Sequence, residues 1–174
     1  HQAWRGRLQQ AGRVADGDQS AALATLHQAW QAMHAAQHRE PDLLAVYAEQ
    51  LRHLGAEDEA QTLLQNALKQ QYDSALVRLF GLLHGRDAGQ QLQVAEGWLK
   101  QHPEDAGLLL TLGRLCMHNQ LWGKARLMLD AVAEDVSMPS AARRRSWLAL
   151  AALAEQEGDD ARRARCFEAA ARLP

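Results

Sequence analysis

The chain has 174 residues, of which 47% are apolar and 23% charged, and its formal net charge is −2 at neutral pH. This apolar content is enough to bury a core, so composition excludes disorder of the whole chain. The nearly balanced charge favours neither a nucleic-acid partner nor a cationic membrane-binding surface. Only four prolines occur among many Ala, Leu, Gln, Glu and Arg residues, which favours helix throughout.

Helical patterns follow one another in pairs along the chain. A polar helix is predicted over residues 2–15, an apolar stripe at i, i+3, i+4 spacing covers residues 20–37, and Pro41 then opens the next helix. No strand periodicity occurs. We predict one all-α domain over residues 1–174, built from about five antiparallel helix pairs. The predicted pairs cover residues 2–37, 41–70, 75–101, 106–133 and 140–172.

Two of these pairs share a degenerate pattern in which large apolar and small residues alternate at helical spacing. A period of about 34 residues with this pattern is typical of the tetratricopeptide repeat (TPR). The sequence therefore predicts a TPR-like α-solenoid, whose stacked pairs form a continuous wall that holds other molecules. The first copy runs through Leu44, Tyr47, Ala48, Leu51, Ala60, Leu64 and Ala67, and the second through Leu108–Leu115 and Trp122–Ala125.

The first helix of each pair lines the binding groove in TPR proteins, so this resemblance implies a set of groove residues here. Their mixture of apolar and charged side chains suits an amphipathic helix or an extended peptide. A solvated face without a partner is the alternative for each of them. The implied groove residues are Ala45, Glu49, Arg52, His53, Phe80, His84, Leu110, Arg114, Met117 and His118.

Residues 98–126 carry a more specific resemblance. The stretch Leu108–Arg126, preceded by Trp98-Leu99-Lys100-Gln101-His102-Pro103, resembles the C-terminal TPR region of the HemY family. These are proteobacterial inner-membrane proteins associated with protohaem biosynthesis. The resemblance extends less specifically over nearly the whole chain.

The HemY resemblance implies a non-catalytic scaffold whose partners are enzymes of haem biosynthesis. A porphyrin or haem carrier that passes intermediates between these enzymes is the alternative. Family members have two N-terminal membrane helices, which this chain lacks, so we expect it to be a portion of an inner-membrane protein with this domain on the cytoplasmic side. The family has no established catalytic residues to transfer.

Histidine spacing offers one candidate metal site. His34 and His38 are four residues apart, which places them on one face of the predicted helix, and His27 lies seven residues before His34. Zinc sites need a third or fourth ligand, and none occurs nearby. We therefore expect solvated histidines and no bound metal, while any of the eight histidines remains available as an axial haem ligand.

No motif for catalysis is present, and the chain is predicted not to be an enzyme. Cys116 and Cys166 form no CxxC pair and are expected to be buried. The consecutive Cys116, Met117 and His118 point about 100° apart on a helix, so they cannot all ligate one iron. Neither a GxSxG elbow nor a phosphate-binding loop occurs.

Arginines cluster near the C-terminus, at residues 143–145 and at Arg162, Arg163 and Arg165. No aromatic stacking platform accompanies them, so nucleic acid is not favoured as a partner. Anionic lipid headgroups are a second alternative, and a solvated, partly salt-bridged face is the expected state. The exposed first and last helices could also pair between two copies of the chain.

Overall fold

The computed structural model describes residues 1–13 and 17–174, and all regular structure in these residues is helical. The predicted all-α fold class is confirmed. No helix in these two ranges is long and apolar enough to cross a membrane. The elements are α1 (Gln2–Ala11), α2 (Gln19–Gln31), a 3-10 turn (Gln37–Arg39), α3 (Pro41–His53), α4 (Glu57–Gln70), α5 (Ser74–Phe80), α6 (Ala88–Leu99), α7 (Ala106–His118), α8 (Trp122–Ala133), α9 (Ser140–Gln156) and α10 (Asp160–Arg172).

The helices form two compact units, His1–Arg86 and Asp87–Pro174. In the first unit, α3 packs against α1, α2, α4 and α5. In the second unit, α7 packs against α6, α8 and α9, and α10 packs against α9. The predicted pair over residues 75–101 spans the division, because α5 belongs to the first unit and α6 to the second. That both units form one solenoid stays a prediction.

Three helix pairs share one backbone turn, which is direct structural evidence for the repeat. After α3, α7 and α9 the chain adopts a positive φ at Gly55 (77°), Gln120 (59°) and Gly158 (70°). The following N–H then donates to a carbonyl five residues earlier, as from Ala56 to Leu51 at 2.8 Å. The equivalent bonds after α7 and α9 measure 2.8 and 2.9 Å. This Schellman turn ends the first helix and directs the chain back along it as the second helix.

Aspartates begin five of the helices. A side-chain oxygen of each accepts a hydrogen bond from a backbone N–H two or three residues further on, at 2.9–3.0 Å. Such a cap satisfies an N–H that has no partner inside the helix, and its loss typically costs about 1 kcal/mol. The capping residues are Asp18, Asp73, Asp87, Asp105 and Asp159.

The small residues of the repeat lie where paired helices cross. A Cβ atom added to Gly113 of α7 would lie 2.5 Å from Cδ2 of Leu129 in α8, so a larger residue would force the Leu129 side chain to move. Ala48 in α3, Ala60 in α4 and Ala125 in α8 are all fully buried. The alternation of small and large residues in the sequence is therefore the packing pattern of the core.

The structure corrects the predicted end of α2. The helix ends at Gln31, and its predicted continuation to residue 37 is replaced by a turn and the 3-10 turn. Glu40 precedes Pro41 and is held extended, at ψ 119°, so it ends the 3-10 turn and separates it from α3. His34 and His38 therefore do not share a helical face, so the expected histidine pair was wrong. Residues 14 and 15 of the predicted first helix lie outside the described residues.

Candidate partner-binding groove

Helix α4 lines two adjoining pockets in the first unit, with cavity volumes of about 430 and 600 Å³. Leu63 and Asn66 line both pockets, so the two adjoin along α4, and we call them together the α4 groove. The first pocket is completed by α2 and α3, and the second by the 3-10 turn, α3 and α5. Between Glu59 and Gln70 the groove follows α4 for roughly 16 Å at 1.5 Å per residue.

An aromatic stack beside the groove holds its walls together. The ring of Trp30 in α2 stacks on Tyr47 of α3 at 4.1 Å between centroids, with the planes 4° apart. His38 of the 3-10 turn stacks on Trp30 at 4.6 Å, and its Nε2 lies 2.8 Å from the Trp30 carbonyl oxygen. Because a carbonyl only accepts, that nitrogen carries the proton. Stacked aromatic pairs contribute about 0.5–1.5 kcal/mol beyond their buried area, so the stack anchors the end of α2 and the 3-10 turn to α3.

Glu59, in the first turn of α4, supplies a negative charge at one end of the groove. Its carboxylate accepts hydrogen bonds from His27 Nε2 at 2.9 and 3.0 Å and from the Tyr47 hydroxyl at 3.3 Å. Burial and the nearby charge of Glu59 raise the pKa of Tyr47 well above its usual range, so the phenol keeps its proton and donates. The Glu59 side chain is 45% exposed, which leaves its carboxylate accessible to a ligand.

The opposite end of the groove is positive and the middle is apolar. Arg39 is exposed at the end of the 3-10 turn and lines the second pocket. None of the ion pairs found among residues 1–13 and 17–174 involves Arg39. Leu44, Leu63 and Leu76 lie among the residues that line the groove. A ligand along α4 would thus meet the carboxylate of Glu59 in the first pocket, Leu63 where the pockets adjoin, and the guanidinium of Arg39 in the second pocket.

The residues predicted on α3 form a different surface. Ala45, Glu49, Arg52 and His53 are at least partly exposed, and none of them lines the α4 groove. The carboxylate of Glu49 lies 3.3 Å from Arg52 Nη2 and 3.8 Å from His53 Nε2. The structure therefore brings three predicted residues into one polar cluster, and their role as a partner surface stays a prediction.

The prediction was wrong for two other groove residues, because they belong to the core. Phe80 is 0% exposed and Leu110 is 1% exposed, so neither side chain can reach a partner. Helix α7 is covered by α6, α8 and α9, which leaves Arg114, Met117 and His118 only half-exposed.

His84 is exposed beyond α5. Its backbone N–H donates to the carboxylate of Glu57. Whether His84, or the half-exposed residues of α7, contact a partner stays a prediction.

The remaining candidates from the sequence are the two cysteines and the possible metal ligands. Cys116 and Cys166 are buried as expected, and burial raises the pKa of both thiols. Within the described parts of the chain, no three His, Cys, Asp or Glu residues are placed to hold a metal ion.

The arginine cluster near the C-terminus also has a structural role. Arg143 Nε donates to the Ala133 carbonyl at 3.0 Å, and Arg144 Nη2 donates to the Leu173 carbonyl at 2.7 Å. These two arginines cap the C-terminal ends of α8 and α10, where carbonyls lack partners inside the helix. They are thereby less available for an external ligand than the sequence suggested.

Comparison with known proteins gives no family assignment. No family model and no curated protein matches the chain. Among solved structures, a mutant of MamA matches with a TM-score of 0.45 and 16% identity, over 99% of this chain and 96% of that chain. A likeness at that score and identity is too weak to support a fold or a function, so the fold class rests on the helix pairs and their shared turn.

Proposed function

We propose that the chain is a non-catalytic interaction domain, without a resident cofactor, that binds proteins through the α4 groove. The observation that carries this proposal is the groove itself, which combines a negative end, an apolar middle and a positive end. Helices and an aromatic stack position all three parts, so a ligand meets a surface formed before it binds.

The resemblance of residues 98–126 to the HemY family supports a more specific role. In that role the domain would belong to a membrane-anchored protein of the bacterial inner membrane and would lie on the cytoplasmic side. The partners would then be enzymes of the last steps of haem biosynthesis, which the domain holds near one another.

Filling the groove tests this function. Asn66 is exposed and lines both pockets, so Asn66→Trp should obstruct the groove without entering the core. Lys69→Trp is a matched control, because Lys69 is exposed on the same helix and lines neither pocket. Titration of each purified late haem-pathway enzyme should show binding that Asn66→Trp weakens about tenfold or more and Lys69→Trp leaves unchanged. Equal binding by all three proteins would remove the α4 groove as the site.

A porphyrin or haem carrier is the second candidate, and the second pocket favours it. His38 lines that pocket together with Leu44 and Leu76, and haem sites combine an axial histidine with apolar walls. Haem titration followed by Soret absorbance checks this. Saturation near one equivalent that His38→Ala abolishes, and that His34→Ala in the exposed turn preserves, would establish the carrier. Weak binding without saturation would leave the scaffold as the better explanation.

A further inference from the structure

We propose that the α4 groove recognises an extended segment of its partner that carries one basic and one acidic side chain four residues apart, with an apolar side chain midway between them. This inference rests on the proposed function and names the chemistry of the partner at the same site. It follows from the charge, the apolar lining and the length of the groove.

The negative end selects a lysine or arginine of the partner. Glu59 is held in place by the His27 and Tyr47 donors, yet it remains 45% exposed. An incoming cation would therefore pair with a carboxylate that is already oriented. Pairs with this exposure typically change binding by about two- to fivefold, and by more where the ligand excludes water.

The positive end selects an aspartate or glutamate. The guanidinium of Arg39 offers several N–H donors in a plane that matches a carboxylate. Its backbone is held by the 3-10 turn, where the Glu40 N–H donates to the Gln37 carbonyl at 3.1 Å. The stack of His38 on Trp30 holds the same turn against α2. The backbone position from which this side chain extends is thus set by the fold before a ligand arrives.

The length of the groove sets the spacing of the two charges. The groove follows α4 for roughly 16 Å, and an extended chain advances about 3.3 Å per residue. Four or five extended residues therefore span it. In an extended segment, side chains at positions i and i+4 point to the same side, so both can face the groove. The intervening apolar residue on that side, at i+2, would meet Leu63.

Short peptides test this inference directly. Five capped eight-residue peptides share a central leucine and differ at positions 2 and 6: Lys with Asp in both orders, Lys at both, Asp at both, and Gln at both. Peptides of this length do not form stable helices in water, which favours binding as an extended segment. Amide chemical shifts of Leu63 and Asn66 in ¹⁵N-labelled protein report binding at the groove itself.

Charge reversal at each end should change the peptide preference in a defined way. The unmodified chain should bind a Lys/Asp peptide about fivefold or more tightly than the others. Glu59→Lys makes both ends positive and should prefer the Asp/Asp peptide, while Arg39→Glu should prefer the Lys/Lys peptide. Glu59→Gln keeps a hydrogen-bond acceptor for His27 and Tyr47 and should lose only the selection for lysine. Circular dichroism should show equal helicity for all of these proteins.

Several results would overturn the inference. The first is that the unmodified chain, Glu59→Lys and Arg39→Glu rank the peptides by affinity in the same order. The second is that no peptide changes the amide chemical shifts of Leu63 and Asn66. A concentration-dependent dimer that Asn66→Trp dissociates would show that a second copy fills the groove. The proposed function fails separately, when Asn66→Trp leaves enzyme binding unchanged. If Asn66→Trp does weaken enzyme binding while peptide preference ignores charge, the groove is the site and the proposed ligand chemistry is wrong.

Discussion

The hydroxyl of Tyr47 donates a hydrogen bond to Oε1 of Glu59 over 3.3 Å, and this bond joins the middle of α3 to the first turn of α4. Tyr47 is only 4% exposed, and its ring lies against Trp30 of α2. A single buried side chain therefore contacts α2 through its ring and α4 through its hydroxyl. The acidic end of the α4 groove depends on it.

Removing this hydroxyl should weaken the first unit without repacking it. Tyr47→Phe keeps the stacked ring but leaves Glu59 one donor short, so the free energy of unfolding should fall by about 1 kcal/mol in urea titrations. The double-mutant cycle with Glu59→Ala isolates the bond, because alanine leaves no acceptor, with an expected coupling of about 0.5 kcal/mol or more. Additive effects of the two substitutions would show that the hydroxyl and the carboxylate do not interact.

Tyr47 should also make stability sensitive to alkaline pH. Its pKa in the folded chain is raised above the value of about 10 expected when unfolded, so above that pH the unfolded chain binds fewer protons than the folded chain. The stabilising contribution of the protonated phenol is complete below pH about 10 and is lost as pH rises further. Urea titrations from neutral to alkaline pH should show a steeper decline for the unmodified chain than for Tyr47→Phe. Parallel declines would contradict the raised pKa.

Local sequence signals predicted the helices because the causes are local. Apolar spacing, aspartate caps and Gly55 or Gly158 in the turn all act within a few residues. The end of α2 was missed because the chain turns back after it, so that His38 stacks on Trp30 in a contact between two separate elements. Periodicity alone cannot show such a contact.

The α4 groove could not be predicted because it combines residues of different helices. Tyr47 fits the apolar stripe of α3, and Glu59 belongs to a run of acids that marks a helix start, so each has a sufficient local explanation. Their hydrogen bond appears only when α3 and α4 pack. The TPR analogy directed attention to the exposed residues of α3 instead, and it also selected Phe80 and Leu110, which the core needs.

Alanine substitution of two glycines should change stability in opposite directions, because Gly113 lies at the close approach of α7 and α8 and Gly97 does not. Gly113→Ala would place a methyl group 2.5 Å from Leu129, which is itself fully buried, so it should destabilise the second unit by about 1–3 kcal/mol. Gly97→Ala in α6 meets nothing within 4 Å and should stabilise by about 0.5–1 kcal/mol, because alanine favours helix over glycine. Thermal unfolding followed by circular dichroism measures both. Similar midpoints for the two variants would contradict the tight crossing.

The two candidate surfaces of the first unit can be separated by one comparison. Glu49→Lys reverses a charge in the polar cluster of α3, where Arg52 and His53 surround the carboxylate, and it leaves the α4 groove untouched. Glu49 is the better choice there because the Arg52 side chain is only 29% exposed, so reversing its charge would also disturb packing. If partners bind the α4 groove, Asn66→Trp should weaken an enzyme complex about tenfold or more, while Glu49→Lys changes its Kd by less than about twofold. The reverse result, measured by isothermal titration, would return the binding surface to α3, where the TPR resemblance placed it.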